Sequence, residues 1–435
     1  MSVRTSGPVG GTHRHFRSTF ILTPAVIIFL SSNFVNAGNL LFNTVFSRWM
    51  GPALYGDLAL VLTLKLAILG LFGALQMSVS REVAQVEGAE LKDLKLILAR
   101  INKMVFIALW ISLPIVLATA IYTEAGAAMG LSNTNLLILV ILSIPFAGPL
   151  SMCRGVAFGE LRSNVIVTSA NAEMLVRLLG AVIAWKMGFG VEGVVFAICL
   201  SIAVGWVAIY KVMPSMSRKK PHIQKVALGV AIGAVPFAAL QFAQVLSLDG
   251  DIFLAKARLD SEEAGLLAAL SLFQRIQFFA CFALAGTLLP GVVSAARQGK
   301  AIMGAAAPVV FLFLLVSSFV LVMVVTQSDL LVRLLVGPEF GGAAKGLLLA
   351  ATSAVAFTAS YLLATLLSAL KDQRGIWAAL IISIVQLGLM AVSVIGSELG
   401  FMALLEIKMW CQVGLTALLL SLSAHVLSKK AKENM

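Results

Sequence analysis

Charge is what this sequence has least of. Asp, Glu, Lys and Arg make up only 12% of 435 residues, against 60% hydrophobic residues. A soluble domain carries about twice that share of charge, so a water-soluble enzyme or binding module is excluded. Histidine and cysteine are also scarce, with four of each. Cys153, Cys199, Cys281 and Cys411 stand far apart with no CxxC pair, so a disulfide framework or thiolate metal site is unsupported and packing is their expected role. No metal site and no catalytic residue is expected.

What the chain has instead is a succession of long apolar runs. Runs of about 17 to 25 residues between charge clusters are read as membrane-spanning helices. Twelve are expected, over 20–46, 54–80, 104–121, 135–153, 165–185, 191–210, 226–247, 264–290, 303–326, 346–370, 375–397 and 400–428. With the N-terminus on the cytoplasmic side, 22 of the 32 Lys and Arg fall in inner segments, while the outer loops hold only Arg48, Lys186, Lys256, Arg258, Arg333 and Lys345. That asymmetry satisfies the positive-inside rule and places both termini in the cytoplasm. The net charge of +12 then faces anionic membrane lipids and requires no nucleic acid. His13, His15, His222 and His425 all fall on the inner side, which leaves the outer side without an imidazole. The basic start, the apolar run Phe20 to Leu30 and Val35-Asn36-Ala37 imitate a secretory signal, but the run continues past Ala37 and is expected to stay as the first helix.

Four basic residues remain inside spans: Lys65, Arg177, Arg275 and Lys408. Lys65 follows Gly56 by nine residues and Arg275 follows Gly265 by ten. At 1.5 Å per helical residue both cations lie about 13 to 15 Å deep, near the centre of a ~30 Å hydrocarbon layer. A charge at that depth marks a protein-lined or hydrated cavity. These landmarks also belong to a weak internal repeat in which Pro24 meets Pro236, Gly56 meets Gly265, Lys65 meets Arg275 and Gly88 meets Gly299. Two parallel six-helix lobes are therefore expected, related by a pseudo-two-fold axis along the membrane normal. Their limits are a cytoplasmic tail over 1–19, a lobe over 20–213, a basic cytoplasmic linker over 214–225, a lobe over 226–428 and a tail over 429–435.

Polar residues on two helices point the same way. Asn33, Asn36, Asn39 and Asn43 fall within about 120 degrees of one another on a helical wheel. They are either glue between helices or the lining of a cavity. Gln241 and Gln244 form a shorter stripe of the same kind, and Pro24 and Pro236 are placed where they could bend the two helices. Glu173 and Arg177, four residues apart, are expected to pair, with substrate contact by Arg177 as the other reading. A coupling ion, proton or sodium, would find its buried carboxylate in Glu173; no other cofactor is expected. Arg154 reads as an interfacial anchor, Asp249, Asp251, Asp260, Glu262 and Glu263 as a solvated acidic outer loop, and Glu406 with Lys408 suggests no site.

The stretch Phe42-Asn43-Thr44-Val45-Phe46-Ser47-Arg48-Trp49-Met50-Gly51-Pro52-Ala53-Leu54-Tyr55-Gly56-Asp57, followed by Gly73-Ala74-Leu75 and Ser80-Arg81-Glu82-Val83-Ala84, resembles the opening of the O-antigen and polysaccharide flippases of the multidrug/oligosaccharidyl-lipid/polysaccharide exporter superfamily. Asp251-Ile252-Phe253-Leu254, Glu262-Glu263-Ala264-Gly265 and Leu289-Pro290 resemble its second half, although Leu266 to Leu270 lacks the tyrosine often seen there. The resemblance implies a bacterial inner-membrane protein that moves a polyprenyl-pyrophosphate-linked oligosaccharide to the periplasmic leaflet. It also implies a central cavity lined by the first, second, seventh and eighth helices, and partners among polysaccharide polymerase and export proteins. On that reading Lys65, Arg275 and Arg177 meet phosphate, while Asn33, Asn36, Asn43, Gln241 and Gln244 meet sugar hydroxyls. A drug or cation antiporter of the same superfamily is the alternative, and should prefer carboxylates to cations in its cavity. A membrane glycan polymerase or ligase would need a larger outer loop than the longest here, about 15 to 20 residues.

Overall fold

The computed structural model describes residues 24–86, 88–214, 223–297, 302–396 and 400–433. The tail over 1–19, most of the 214–225 linker and the Gly299 landmark lie outside the described residues. Among the described residues, eleven helices are long and apolar enough to cross a membrane. The first of these, α1 (Pro24–Val83), spans 60 residues, and its backbone breaks at Gly51 (φ 68, ψ 176). A straight helix of that length would reach about 90 Å, three times the thickness of the hydrocarbon layer. Gly51 takes a left-handed φ that only glycine adopts freely, and Pro52 disfavours helical geometry in the residue before it. The chain therefore turns there, and α1 supplies two crossings, a first limb before Gly51 and a second limb after it. This brings the total to the twelve expected.

The first lobe is completed by α2 (Gly88–Tyr122), the single turn α3 (Ala125–Ala128), α4 (Thr134–Gly159), α5 (Ser163–Lys186) and α6 (Gly190–Ile209). The second contains α7 (Ile223–Arg258), α8 (Ser261–Arg297), α9 (Ile302–Leu335), α10 (Leu347–Ala369), α11 (Arg374–Gly396) and α12 (Phe401–Glu433). Within the lobes, α4 packs on α1, α2 and α6, and α10 packs on α8 and α12. Ile111 and Ile115 on α2 and Phe311, Phe319 and Val325 on α9 are exposed, as side chains facing lipid would be. Pro236 lies inside α7, which continues through it as one helix, and α9 breaks at Gln327.

The lobes meet where α1 packs against α7 and α8. One tight point is Gly265, where an added Cβ would fall 2.1 Å from the Pro52 carbonyl oxygen. Gly56 lies beside it, its own Cβ position 3.5 Å from the Gly265 nitrogen, so the two matched glycines of the repeat touch in space. Next to them Lys256 forms a buried ion pair with Asp57 at 2.8 Å. Lys256 was expected in an outer loop, but α7 runs on to Arg258 and turns this lysine toward α1. The Tyr55 ring meets Phe340 edge-on at 5.7 Å, and Arg48 Nη2 donates to the Leu334 carbonyl at 2.6 Å. Together these contacts close the Gly51 end of the seam. Farther along, the second limb stays joined to α7 through Gly70 against Gln241 and through Ser78 Oγ, which donates to the Val230 carbonyl at 2.7 Å.

Gly265→Val should force the lobes apart at the Gly51 end. Overpacking of this kind costs about 1 to 3 kcal/mol, and the expected readout is a roughly tenfold rise in thiol labelling of a cysteine placed at Ala59. The measurement uses a variant whose four native cysteines are serine; unchanged labelling at equal expression would show that this contact does not hold the seam.

Candidate binding cavity

Beyond the closed end, the lobes part around a cavity of about 350 Å³. The first limb of α1 contributes Asn33, Asn36, Asn39 and Asn43, the second limb Lys65, α5 Arg177, and α8 Arg275, Ile276 and Phe279. Asn33 and Asn36 are exposed, Asn39 is half-buried and Asn43 is only 8% exposed. The cavity is therefore open at the Asn33 end and closed near Gly51. Three cations and four asparagine side chains face it, and among the described residues its lining contains no carboxylate.

Lys65 and Arg275 are held from behind. Lys65, 5% exposed, places Nζ 3.1 Å from Glu173 Oε1, while Arg154 Nη2 takes Glu173 Oε2 at 3.0 Å. Arg154 also donates from Nε and Nη2 to Ser169 Oγ, which donates in turn to the Gly205 carbonyl at 2.8 Å. Two expectations are corrected here. Arg154 is no interfacial anchor but a structural cation facing Glu173. Glu173 does not pair with Arg177, because both its oxygens are occupied by Lys65 and Arg154; Arg177 reaches across to Asn39 Oδ1 on α1 instead.

Arg275, 9% exposed, donates from Nε to Asp249 Oδ1 at 2.8 Å and from Nη2 to Thr63 Oγ1 at 2.8 Å. The second bond crosses between lobes. Asp249 and Asp251 were expected in a solvated outer loop, yet both are buried. The seventh helix extends beyond its expected end: α7 carries 36 residues and runs through Gly250, and the apolar pattern of Ile252-Phe253-Leu254-Ala255, with no proline, was the signal that it continues. Lys408, from which no site was argued, is 1% exposed and places Nζ 2.8 Å from both Asp251 Oδ2 and the Leu248 carbonyl oxygen. A lysine in the apolar run of α12 was its only trace in the sequence.

Of the residues expected at the site, Lys65, Arg275, Arg177, Asn33, Asn36 and Asn43 are brought together around the cavity. Gln241 and Gln244 are half-buried and lie outside the lining, Gln241 facing Gly70 in the seam. Glu173 sits one layer behind Lys65. Thr63 and Asp249 were missed, since an isolated hydroxyl and an aspartate near a helix end carry no distinctive pattern.

No protein-family description matches the sequence, and no curated protein is significantly similar to it. Solved structures do match. An inward-facing multidrug resistance MATE family transporter of the MOP superfamily aligns with a TM-score of 0.70 at 13% identity, over 93% of this chain and 99% of that one. The lipid II flippase MurJ in its inward closed conformation aligns with a TM-score of 0.67 at 12% identity, over 94% and 87% of the two chains. A MOP superfamily transporter from Pyrococcus furiosus, described by the reverse polarity of its binding pocket, aligns with a TM-score of 0.66 at 13% identity, over 93% and 94%. The chain has the fold of these transporters.

Glu173→Ala strands the buried Lys65 and the half-buried Arg154 and should lower stability by about 3 kcal/mol. Lys65→Ala should cost less, because Glu173 keeps Arg154. Thermal unfolding of both variants in one detergent checks the order, and a greater loss from Lys65→Ala would refute this account of the cluster.

Proposed function

We propose that this protein is a flippase that carries a polyprenyl-pyrophosphate-linked oligosaccharide from the cytoplasmic to the periplasmic leaflet by alternating access. The observation that carries this reading is the lining itself, which among the described residues has three cations, four amides and no acid. A pyrophosphate cannot enter hydrocarbon without replacing its hydration and counterions. Lys65 offers it a compact charge, while Arg275 and Arg177 offer planar forks matched to phosphate oxygens. The asparagine stripe supplies paired donors and acceptors of the kind sugar hydroxyls require. A cavity of about 350 Å³ is at the small end for a ligand site, so the linking phosphates and adjoining sugar would occupy it while a longer glycan extends past Asn33. The polyprenyl chain would stay in lipid.

The setting follows the same reading. The bacterial inner membrane, cytoplasmic termini, and polymerase and export proteins as neighbours all belong to the proposal. A drug or cation antiporter is the second reading, favoured by the multidrug resistance neighbour at a TM-score of 0.70. A cationic drug would meet three positive side chains and no carboxylate among the described residues of this lining. For the Pyrococcus furiosus transporter, reverse polarity of the binding pocket suggests a different function, so the sign of the cavity charge discriminates within this fold.

Lys65→Ala and Arg275→Ala are each expected to abolish glycan export at matched protein levels. The measurement is surface polysaccharide in a deletion strain carrying each variant, together with drug susceptibility. Normal export by both variants would sink the flippase reading; altered drug susceptibility with polysaccharide intact in the deletion strain would establish the antiporter.

A further inference from the structure

Arg275 joins a cavity, a carboxylate and the opposite lobe. Its side chain faces the cavity, while Nε is committed to Asp249 and Nη2 to Thr63. Thr63 gives its own proton to the Ala59 carbonyl, so it serves Arg275 only as an acceptor. An anion entering the cavity competes for the same guanidinium. Two phosphoryl groups present a doubly charged, fork-matched acceptor, a stronger partner than one hydroxyl and one carboxylate oxygen. When Arg275 turns to the anion, Asp249, itself 3% exposed, is left buried without its partner.

A lone carboxylate in such a place takes up a proton. The charged and titratable groups around Asp249 are Arg275 on α8, Lys408 on α12, Asp251 on α7 and Tyr55 on α1. None can replace the guanidinium. Lys408 Nζ is held by Asp251, the Leu248 carbonyl and Gln274, and Tyr55 donates its hydroxyl proton to Asn43 Oδ1 at 3.0 Å. Asp251 adds repulsion. Glu173 is different, because withdrawal of Lys65 leaves Arg154 on its other oxygen.

We propose that Asp249 is the proton-coupling carboxylate: a diphosphate-type anion that captures Arg275 makes Asp249 take a proton from the open cavity and frees the bond between Arg275 and Thr63. This inference rests on the cavity being an anion site. Its sign follows from mass action. The complex holds one more proton than the free protein, so affinity rises as pH falls.

The test uses the full chain in detergent and methanedisulfonate, a pyrophosphate-shaped dianion that stays fully ionised, so any proton taken up belongs to the protein. Calorimetry at pH 7 in buffers of different ionisation enthalpy should show uptake of about one proton per anion bound. Asp249→Asn should bind at least as tightly and take up none, while Glu173→Gln should keep the uptake. Thr63→Val, which removes only the contact across the lobes, should also keep it and guards against misfolding of the Asp249 variant. Binding by the unaltered protein without proton uptake, or uptake that persists in Asp249→Asn, would overturn the inference and leave the anion site standing. Absence of any anion binding would remove the flippase reading itself, and this inference with it.

Discussion

A cation in the interior of a membrane protein cannot stand alone, and that constraint organises this molecule. The idealised cost of moving such an ion into a dry medium is of order 20 kcal/mol, and several kcal/mol remain after relaxation. Lys65 is therefore backed by Glu173, Arg275 by Asp249, Lys256 by Asp57 and Lys408 by Asp251. The carboxylates of the first two pairs sit one layer behind the cavity, so their cations present outward while remaining compensated. Counting Lys65, Arg154, Arg177 and Arg275 against Glu173 and Asp249 leaves 4 − 2 = +2 at the site. The excess faces the opening.

The same constraint bears on how the lobes can separate. On the proposed reading, alternating access needs two states within a few kcal/mol of each other, so the closed end would have to hold firmly and still release. A broad apolar seam would hold too well. Here the closed end combines a backbone contact at Gly265, which depends on the absence of a side chain, with the ion pair Asp57–Lys256. An ion pair regains hydration when it opens, which offsets much of its loss. Strong positional specificity is thus obtained with modest net stabilisation.

The fold was largely legible because the bilayer restricts it. Twelve apolar runs could only be helices, and the glycines and cations of the repeat pointed to paired lobes that meet at Gly56 and Gly265. Lys65, Arg275 and the asparagine stripe were legible as polar groups with no reason to be where they are. Their partners were not. Asp249 and Asp251 resemble loop acids until α7 is known to continue through them, and the competition among Lys65, Arg154 and Arg177 for Glu173 is decided by helix packing that no spacing rule contains. Gln241 and Gln244 lie outside the cavity lining, and Gln241 packs against Gly70 in the seam.

Lys65 and Arg275 hold matched positions in the repeat but have unlike surroundings, and the difference divides the work between the lobes. In the first lobe one carboxylate is shared by two cations from two helices, and Ser169 ties Arg154 on to α6. Removing any one contact leaves others in place, so that cluster behaves as a fixed positive wall. In the second lobe Arg275 and Asp249 are matched one to one, and the remaining hydrogen bond of Arg275 goes to the opposite lobe. A ligand that takes Arg275 alters the charge of the second lobe and the contact between lobes in one step. Two halves with the same ion pair would both be fixed or both be labile; on the proposed reading, pairing a static half with an exchangeable one would let the cavity hold an anion while the seam responds to it.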